Sequence, residues 1–155
     1  DVEFFIERLS MIAVRAISPS VNDPYTAIIC IHWLGVMLCR LAEMDVISPY
    51  HFDAQKRLRV VTQPVRFKAF LDAGFNEIRH SADSPSVFIN LLDTIAAISG
   101  STRQPENYQA LFEHAGHIYL DSRRRLAGDD LQRVKNKYQE TVRILESNRP
   151  GAKLK

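Results

Sequence analysis

The stretch from Ala27 to Cys39 constrains the fold more than any other, because its only polar side chain is His32. A helix that is apolar on every face is typical of the centre of a fold or of a membrane span. Thirteen residues of helix rise only about 20 Å, whereas the hydrocarbon core of a bilayer is about 30 Å thick. Because Arg40 follows at once, we predict a buried central helix rather than a span. His32 is then expected to be a core histidine.

Apolar residues recur at helical spacing in six segments, and no long segment alternates as a strand does. We predict an all-α fold, a single-domain bundle of about six helices around the buried central helix, with at most one short strand. The domain is expected to cover residues 1–150, and residues 151–155 to form a disordered tail. The predicted helices cover residues 2–17, 24–45, 64–80, 85–99 and 105–127, with a last one from 129 or 130, and the strand covers 58–61. Gly100 and Gly128 are expected to end the fourth and fifth helices.

Charge and cysteine content narrow the class of protein. The 155 residues carry 20 basic and 18 acidic side chains, and this near-balance argues against nucleic acid as a partner. The basic excess lies in residues 121–155, where Arg123–Arg125 falls at a predicted helix C-terminus and complements the helix dipole. An anionic surface as partner is the alternative. Cys30 and Cys39 are nine residues apart on one predicted helix, so they point to opposite faces and are expected to be buried apolar side chains.

The segment from Arg15 to Thr26 is the densest in residues that direct the backbone. Asn22 and Asp23 are favoured N-cap residues, and the proline that follows suits the first helical position. Unpaired N–H groups at this helix start, with the hydroxyls of Ser18 and Thr26 nearby, predict an anion site. The architectural alternative is that Asn22 or Asp23 caps these donors itself. Arg15 likewise either pairs with Asp23 and holds the loop together or clamps a bound anion.

Residues 15–27 read R-A-I-S-P-S-V-N-D-P-Y-T-A. This segment resembles a family of predicted bacterial membrane proteins known only as a domain of unknown function. The family pattern is R-A-L-S-P-G-x-N-D-P-x-T-A, followed by an apolar helix, and Phe75–Arg79 resembles a later aromatic-rich helix of the same family. Two positions depart from the pattern, with Ile17 in place of leucine and Ser20 in place of glycine. A serine at position 20 does not suit a loop that needs a positive φ there.

The resemblance implies a location rather than a reaction. It implies that this chain is the soluble C-terminal part of a longer protein, whose N-terminal part carries the transmembrane helices. The start at Asp1, inside a helical pattern, leads to the same expectation. The full-length protein is then expected in the bacterial inner membrane, and the basic excess of the last third favours the cytoplasmic side for this domain. The family supplies no catalytic residue and no cofactor, and a homo-oligomer or a protein partner stays open.

Two histidines three residues apart, His114 and His117, share one face of the predicted fifth helix with Asp121. Such a face holds a divalent metal when a further ligand comes from elsewhere, and His80 or His51 is a candidate for that ligand. The alternative is that these side chains are solvated or cap a helix, because two potential ligands on one helical turn are common by chance. The face predicts a metal site only in combination with that further ligand.

No catalytic motif accompanies these residues, since the sequence contains no glycine-rich phosphate loop, no nucleophile elbow and no supported Cys–His pair. The leading hypothesis is therefore an assembly, regulatory or partner-binding domain of a membrane protein, without catalysis. The alternative is a domain that binds a small molecule, an anion or a metal. Its site is then either the Ser18–Thr26 loop or the His114/His117 face.

Overall fold

The computed structural model describes residues 2–44, 50–61, 66–149 and 151, with the backbone alone of His51 and Val60. The predicted all-α bundle is confirmed, with six helices and one small sheet in the described part of the chain. The elements in chain order are α1 Val2–Ala16, α2 Pro24–Glu43, β1 Tyr50–Phe52, β2 Leu58–Val61, α3 Phe67–Ser81, α4 Pro85–Ser101, α5 Pro105–Arg125 and α6 Gly128–Asn148.

The connection between α2 and α3 contains an antiparallel hairpin. The predicted strand at 58–61 is confirmed as β2, whereas its partner β1 was missed, because three residues are too few to show alternation. Tyr50 pairs with Val61, and Phe52 pairs with Leu58 beyond a register shift. No helix packs extensively against the hairpin among the described residues.

Several predicted boundaries shift. Gly100 lies inside α4 and does not end it. Gly128 does have a positive φ of 56°, but α5 already ends at Arg125 and Gly128 begins α6. The predicted start of the third helix at Pro64 and the predicted tail from 152 onward lie outside the described residues, so the division between domain and tail stays a prediction.

The central position belongs to α4 rather than to α2, which corrects the prediction. α4 packs against α2, α3, α5 and α6 and buries a set of large apolar side chains, namely Val87, Phe88, Leu91, Leu92, Ile95 and Ile98. Within α4 only Asp93, Ala97 and Gly100 are exposed. α2 instead packs against α1, α3 and α4 and leaves one face open to solvent.

His32 lies on the open face of α2 and is exposed, so its predicted role as a core histidine is wrong. The buried face of the same helix carries Ala27, Ile31, Leu34 and Leu38. The physical reason is positional, because α2 has helical neighbours on one side only. Of the two cysteines, Cys30 is buried as predicted and Cys39 is only partly buried.

α2 and α4 pack tightly at Gly35. A Cβ atom at this position would lie 2.6 Å from the Cγ2 atom of Thr94, closer than two carbons can approach without movement. Glycine therefore sets the spacing between the two helices.

This close approach predicts opposite effects for two glycine substitutions in helices. Gly35→Ala should lower the free energy of unfolding by about 1–3 kcal/mol, because the added methyl group overpacks the α2–α4 contact. Gly116→Ala is the matched control in α5, where a Cβ meets nothing within 4 Å, and it should raise stability by up to about 1 kcal/mol. Urea unfolding of both variants measures the difference, and equal effects would contradict the steric argument.

Candidate functional site

The Ser18–Thr26 loop satisfies its own polar groups. The Ser18 hydroxyl donates to the carbonyl oxygen of Arg15 at 2.7 Å, and the backbone N–H of Asn22 donates to the carbonyl of Ser18 at 2.8 Å. The N–H of Asp23 donates to the carbonyl of Ala16, also at 2.8 Å. These hydrogen bonds hold the C-terminal end of α1 next to the N-terminal end of α2.

Asp23 is the N-cap of α2 and occupies the helix start. Its Oδ1 accepts from the Thr26 N–H at 3.1 Å, and its Oδ2 accepts from the Thr26 hydroxyl at 2.6 Å. The hydrogen bonds from the Thr26 side chain and backbone lower the pKa of Asp23 below its ordinary value, so the carboxylate is charged at neutral pH. A bound anion would meet this negative charge, which supports the architectural interpretation of the loop.

The structure also shows the backbone at position 20 and the surroundings of Arg15. The residue with positive φ is Asn22, at 49°, and not the residue at position 20, and asparagine tolerates that conformation better than most residues do. Arg15 is exposed and forms no ion pair with Asp23 among the described contacts, because both oxygens of that carboxylate are bonded to Thr26.

A second polar site lies between α3 and α5, and we call it the α3–α5 seam. His114 is buried, and its Nε2 atom lies 2.8 Å from Oδ1 of Asp72. Two helical turns further along α3 and α5, Arg79 donates to the carboxylate of Asp121, and both side chains are largely buried. Arg124 also reaches Asp121, at 3.3 Å.

Burial lowers the pKa of His114 despite the opposing effect of Asp72, so the imidazole is neutral at pH 7. Its Nε2–H then donates to the Asp72 carboxylate. Burial would raise the pKa of Asp72, but the hydrogen bonds from His114 and Lys68 outweigh it and lower that pKa. The Nδ1 atom of His114 has no hydrogen-bond partner in the described part. A histidine oriented by a carboxylate supplies two of the three members of a nucleophilic triad, and no nucleophile lies at Nδ1 in the described part.

The three predicted metal ligands do not converge. His114 faces Asp72, Asp121 is bonded to Arg79 and Arg124, and His117 is exposed. Within the described ranges no group of three His, Cys, Asp or Glu side chains lies close enough to hold a metal ion. The side chain of His51 lies outside the described part. The Nε2 atom of His80 lies 4.0 Å from the Asp121 carboxylate, to which both arginines are already bonded. The metal site stays a prediction without a ligand set.

A cavity of about 400 Å³ opens between α2 and α4. His32 and Cys39 line it, but they are two helical turns apart, about 10.5 Å along the axis, which is too far for a Cys–His pair. The charged groups at its rim already have partners, since Arg40 pairs with Glu43 and Asp93 pairs with Lys137. The cavity therefore brings no reactive pair together.

The α3 half of the seam could not be predicted from the sequence. Asp72 and Arg79 are seven residues apart, and so are His114 and Asp121. When two helices run parallel, polar residues with the same seven-residue spacing face each other every two turns. This shared spacing was visible in the sequence, but the pairing of α3 with α5 was not.

The structure also exposes a set of large apolar side chains that the sequence did not predict to be exposed. Of the sixteen large apolar side chains that are exposed in the described part, fifteen lie in residues 2–61 and only Leu120 lies beyond them. We call eight of those on the two N-terminal helices the apolar face: Phe4, Phe5, Met11 and Ile12 from α1 and Tyr25, Ile29, Trp33 and Val36 from α2. Within the described ranges, α2 is also the one helix long and apolar enough to cross a membrane by length and composition.

The Asp23 cap predicts how two substitutions affect thermal stability. Asp23→Ala should lower the melting temperature by roughly 3–5 °C, because the N–H and hydroxyl of Thr26 lose their acceptor. Asp23→Asn keeps an acceptor and should lower the melting temperature less. Millimolar phosphate should leave the wild-type melting temperature unchanged, whereas a rise that Arg15→Ala abolishes would restore the anion-site hypothesis.

His114 predicts how stability depends on pH. The folded state keeps the imidazole neutral, while the unfolded chain protonates near the ordinary pKa of about 6.5. Stability is therefore complete above pH 6.5 and falls as the pH drops below it, by up to about 1.4 kcal/mol per pH unit. Urea unfolding at pH 7.5, 6.5 and 5.5 should show a shallower loss in His114→Leu. The exposed His117→Gln is the control and should keep the wild-type slope, and identical slopes in all three proteins would contradict a neutral buried His114.

Comparison with known proteins identifies the family of this chain. Residues 1–97 of the 155 match the family described as Predicted membrane protein (DUF2254). Uncharacterized proteins of Mycobacterium bovis and Mycobacterium tuberculosis are 27% identical over 130 residues, which is 83% of this chain and 25% of each relative. The chain thus spans about a quarter of the length of these curated relatives, and no solved structure matches it. The chain belongs to the DUF2254 family of predicted membrane proteins.

Proposed function

We propose that this chain is an extramembrane helical domain of a bacterial membrane protein, and that it binds a partner through the apolar face without catalysing a reaction. Assembly or regulation of the full-length protein is the role that such a domain serves. The observation that carries the proposal is the uneven distribution of exposed apolar side chains between residues 2–61 and the rest of the described chain.

The uneven distribution separates a binding surface from ordinary exposure. Single exposed apolar side chains are normal on a soluble protein, but a contiguous set marks an interaction site. The helices α4, α5 and α6 show what the ordinary surface of this fold is, with Leu120 as their only large exposed apolar side chain in the described part. The exposed surface of the described chain is therefore polar on α4, α5 and α6 and rich in large apolar side chains on α1 and α2.

The composition of α2 supports the same conclusion. Its apolar residues surround the whole helix, which predicts burial on every side, yet the bundle covers only one side. A partner on the open side would remove this disagreement. Trp33 and Tyr25 on that side are 54% and 72% exposed, and large aromatic residues are the side chains that contribute most at binding surfaces.

The absence of a catalytic arrangement in the described part supports a binding role. The carboxylate–histidine pair of the seam has no nucleophile at Nδ1 of His114. Asp121 is neutralised by two arginines. These contacts tie α3 to α5 and account for the polar residues without a substrate.

Thiol labelling of the full-length protein in native bacterial membranes tests the proposal. Ile29→Cys and Leu120→Cys place thiols at two apolar positions of similar exposure, 42% and 48%. A membrane-impermeant maleimide, followed peptide by peptide with mass spectrometry, should label position 29 much more slowly than position 120, at least tenfold. The two positions should react at similar rates in the isolated 155-residue chain.

Equal labelling of both positions in the full-length protein would contradict the proposal, because the apolar face would then be open to water. The same reagent reports the side of the membrane. We expect Leu120→Cys to react in inverted vesicles and not in intact spheroplasts, which corresponds to the cytoplasmic side. Reaction in intact spheroplasts would place the domain on the opposite side.

A further inference from the structure

The geometry points to a lipid bilayer as the partner of the apolar face. We infer that α1 and α2 lie along the bilayer surface with this face among the headgroups and upper acyl chains, an inference that rests on the proposed function. It names the partner class that the proposal leaves open.

The outward side of α2 has the pattern of an interfacial helix. Tyr25, Ile29, Trp33 and Val36 follow one another at spacings of four, four and three residues, so they form one stripe along three turns. The stripe lies opposite the buried residues that contact the bundle. Tyrosine and tryptophan are the side chains that concentrate at membrane–water interfaces, where an apolar ring and a polar tip are both accommodated.

α1 packs against α2 and carries exposed apolar side chains of its own. Phe5 and Ile12 lie two turns apart on one side of the helix, and Phe4 and Met11 follow at the same spacing. The Arg8 guanidinium lies 4.9 Å from the ring centre of Phe4. Long arginine side chains of this kind place apolar stems against acyl chains and charged ends among headgroups.

The net charge of α1 and α2 indicates which force drives binding to the bilayer. α1 and α2 together carry three arginines and three glutamates, so the apolar face lies in a neutral setting. Attraction to anionic lipid is therefore not the driving force, and burial of apolar surface is. A neutral bilayer should bind this face as well as an anionic one does.

The depth of the contact follows from the packing of α2. This helix is long enough to cross a membrane, but its inner side packs on α1, α3 and α4. An interfacial helix buries its apolar side only about 5–10 Å into the bilayer, which matches a helix with one side held by protein. The two helices therefore lie parallel to the membrane plane, and α4, α5 and α6 remain in water.

Trp33 is the single tryptophan of the chain, which gives the inference a direct readout. The isolated 155-residue chain is mixed with vesicles of phosphatidylcholine and with vesicles whose acyl chains carry bromine near the headgroup. Both should shift the Trp33 emission to shorter wavelength, and the brominated vesicles should also quench it by about half or more. Bromine quenches only on contact, so quenching reports tryptophan among the lipid chains.

Paired substitutions test whether the apolar face carries the binding. Ile29→Ser with Val36→Ser should weaken vesicle partitioning roughly tenfold, because two exposed aliphatic side chains no longer enter the bilayer. Leu120→Ser removes an equally exposed side chain on α5 and should leave partitioning unchanged. All replaced side chains are exposed, and circular dichroism confirms that each variant keeps its helices.

Two results would overturn the inference. The first is equal Trp33 emission with and without vesicles, and the second is a blue shift that depends on chain concentration and not on lipid, which would assign the face to a second copy of the chain. Either result leaves the proposed function standing if position 29 is still protected in the full-length protein. Loss of that protection would remove both.

Discussion

The contact between α2 and α4 at Gly35 determines how the rest of the structure is arranged. Without a side chain at this position the two helices approach until Thr94 nearly touches the backbone of α2. α4 thereby becomes the helix that every C-terminal helix packs against, and α2 becomes an outer helix with one side committed to the core. The exposed apolar stripe of α2 lies on the opposite side of the helix, where no helix packs in the described part of the chain.

The helices themselves could be predicted from local chemistry. Proline at the first position of α2, α4 and α5 and the Asp23 cap mark helix starts that side chains alone determine. The position of each helix in the bundle could not be predicted in this way. An all-apolar helix indicates burial, and the sequence does not distinguish burial by the protein's own core from burial by a partner. His32 was assigned to the core for that reason, and the structure exposes it.

The candidate sites show the same difference between local contacts, which could be predicted, and tertiary contacts, which could not. The interpretation of Asp23 as a cap depends on residues three apart in sequence, so it was accessible from the sequence. The partners of His114 and Asp121 are 42 residues away on α3, and only the tertiary arrangement brings them together. The metal hypothesis treated one helix face in isolation. In the structure two side chains of that face have partners on α3, and the two pairs fix the register between α3 and α5.

The β1–β2 hairpin has a further consequence for how this chain can misassemble. Both of its strands are sheet edges, and no helix packs extensively on them among the described residues. Such edges recruit strands from other molecules unless charges oppose it. Here Arg57 and Arg59 both bind the Asp53 carboxylate, at 3.1 Å and 2.8 Å, which sets cationic side chains along the turn and the second strand. These cationic side chains oppose the addition of a further strand at this edge.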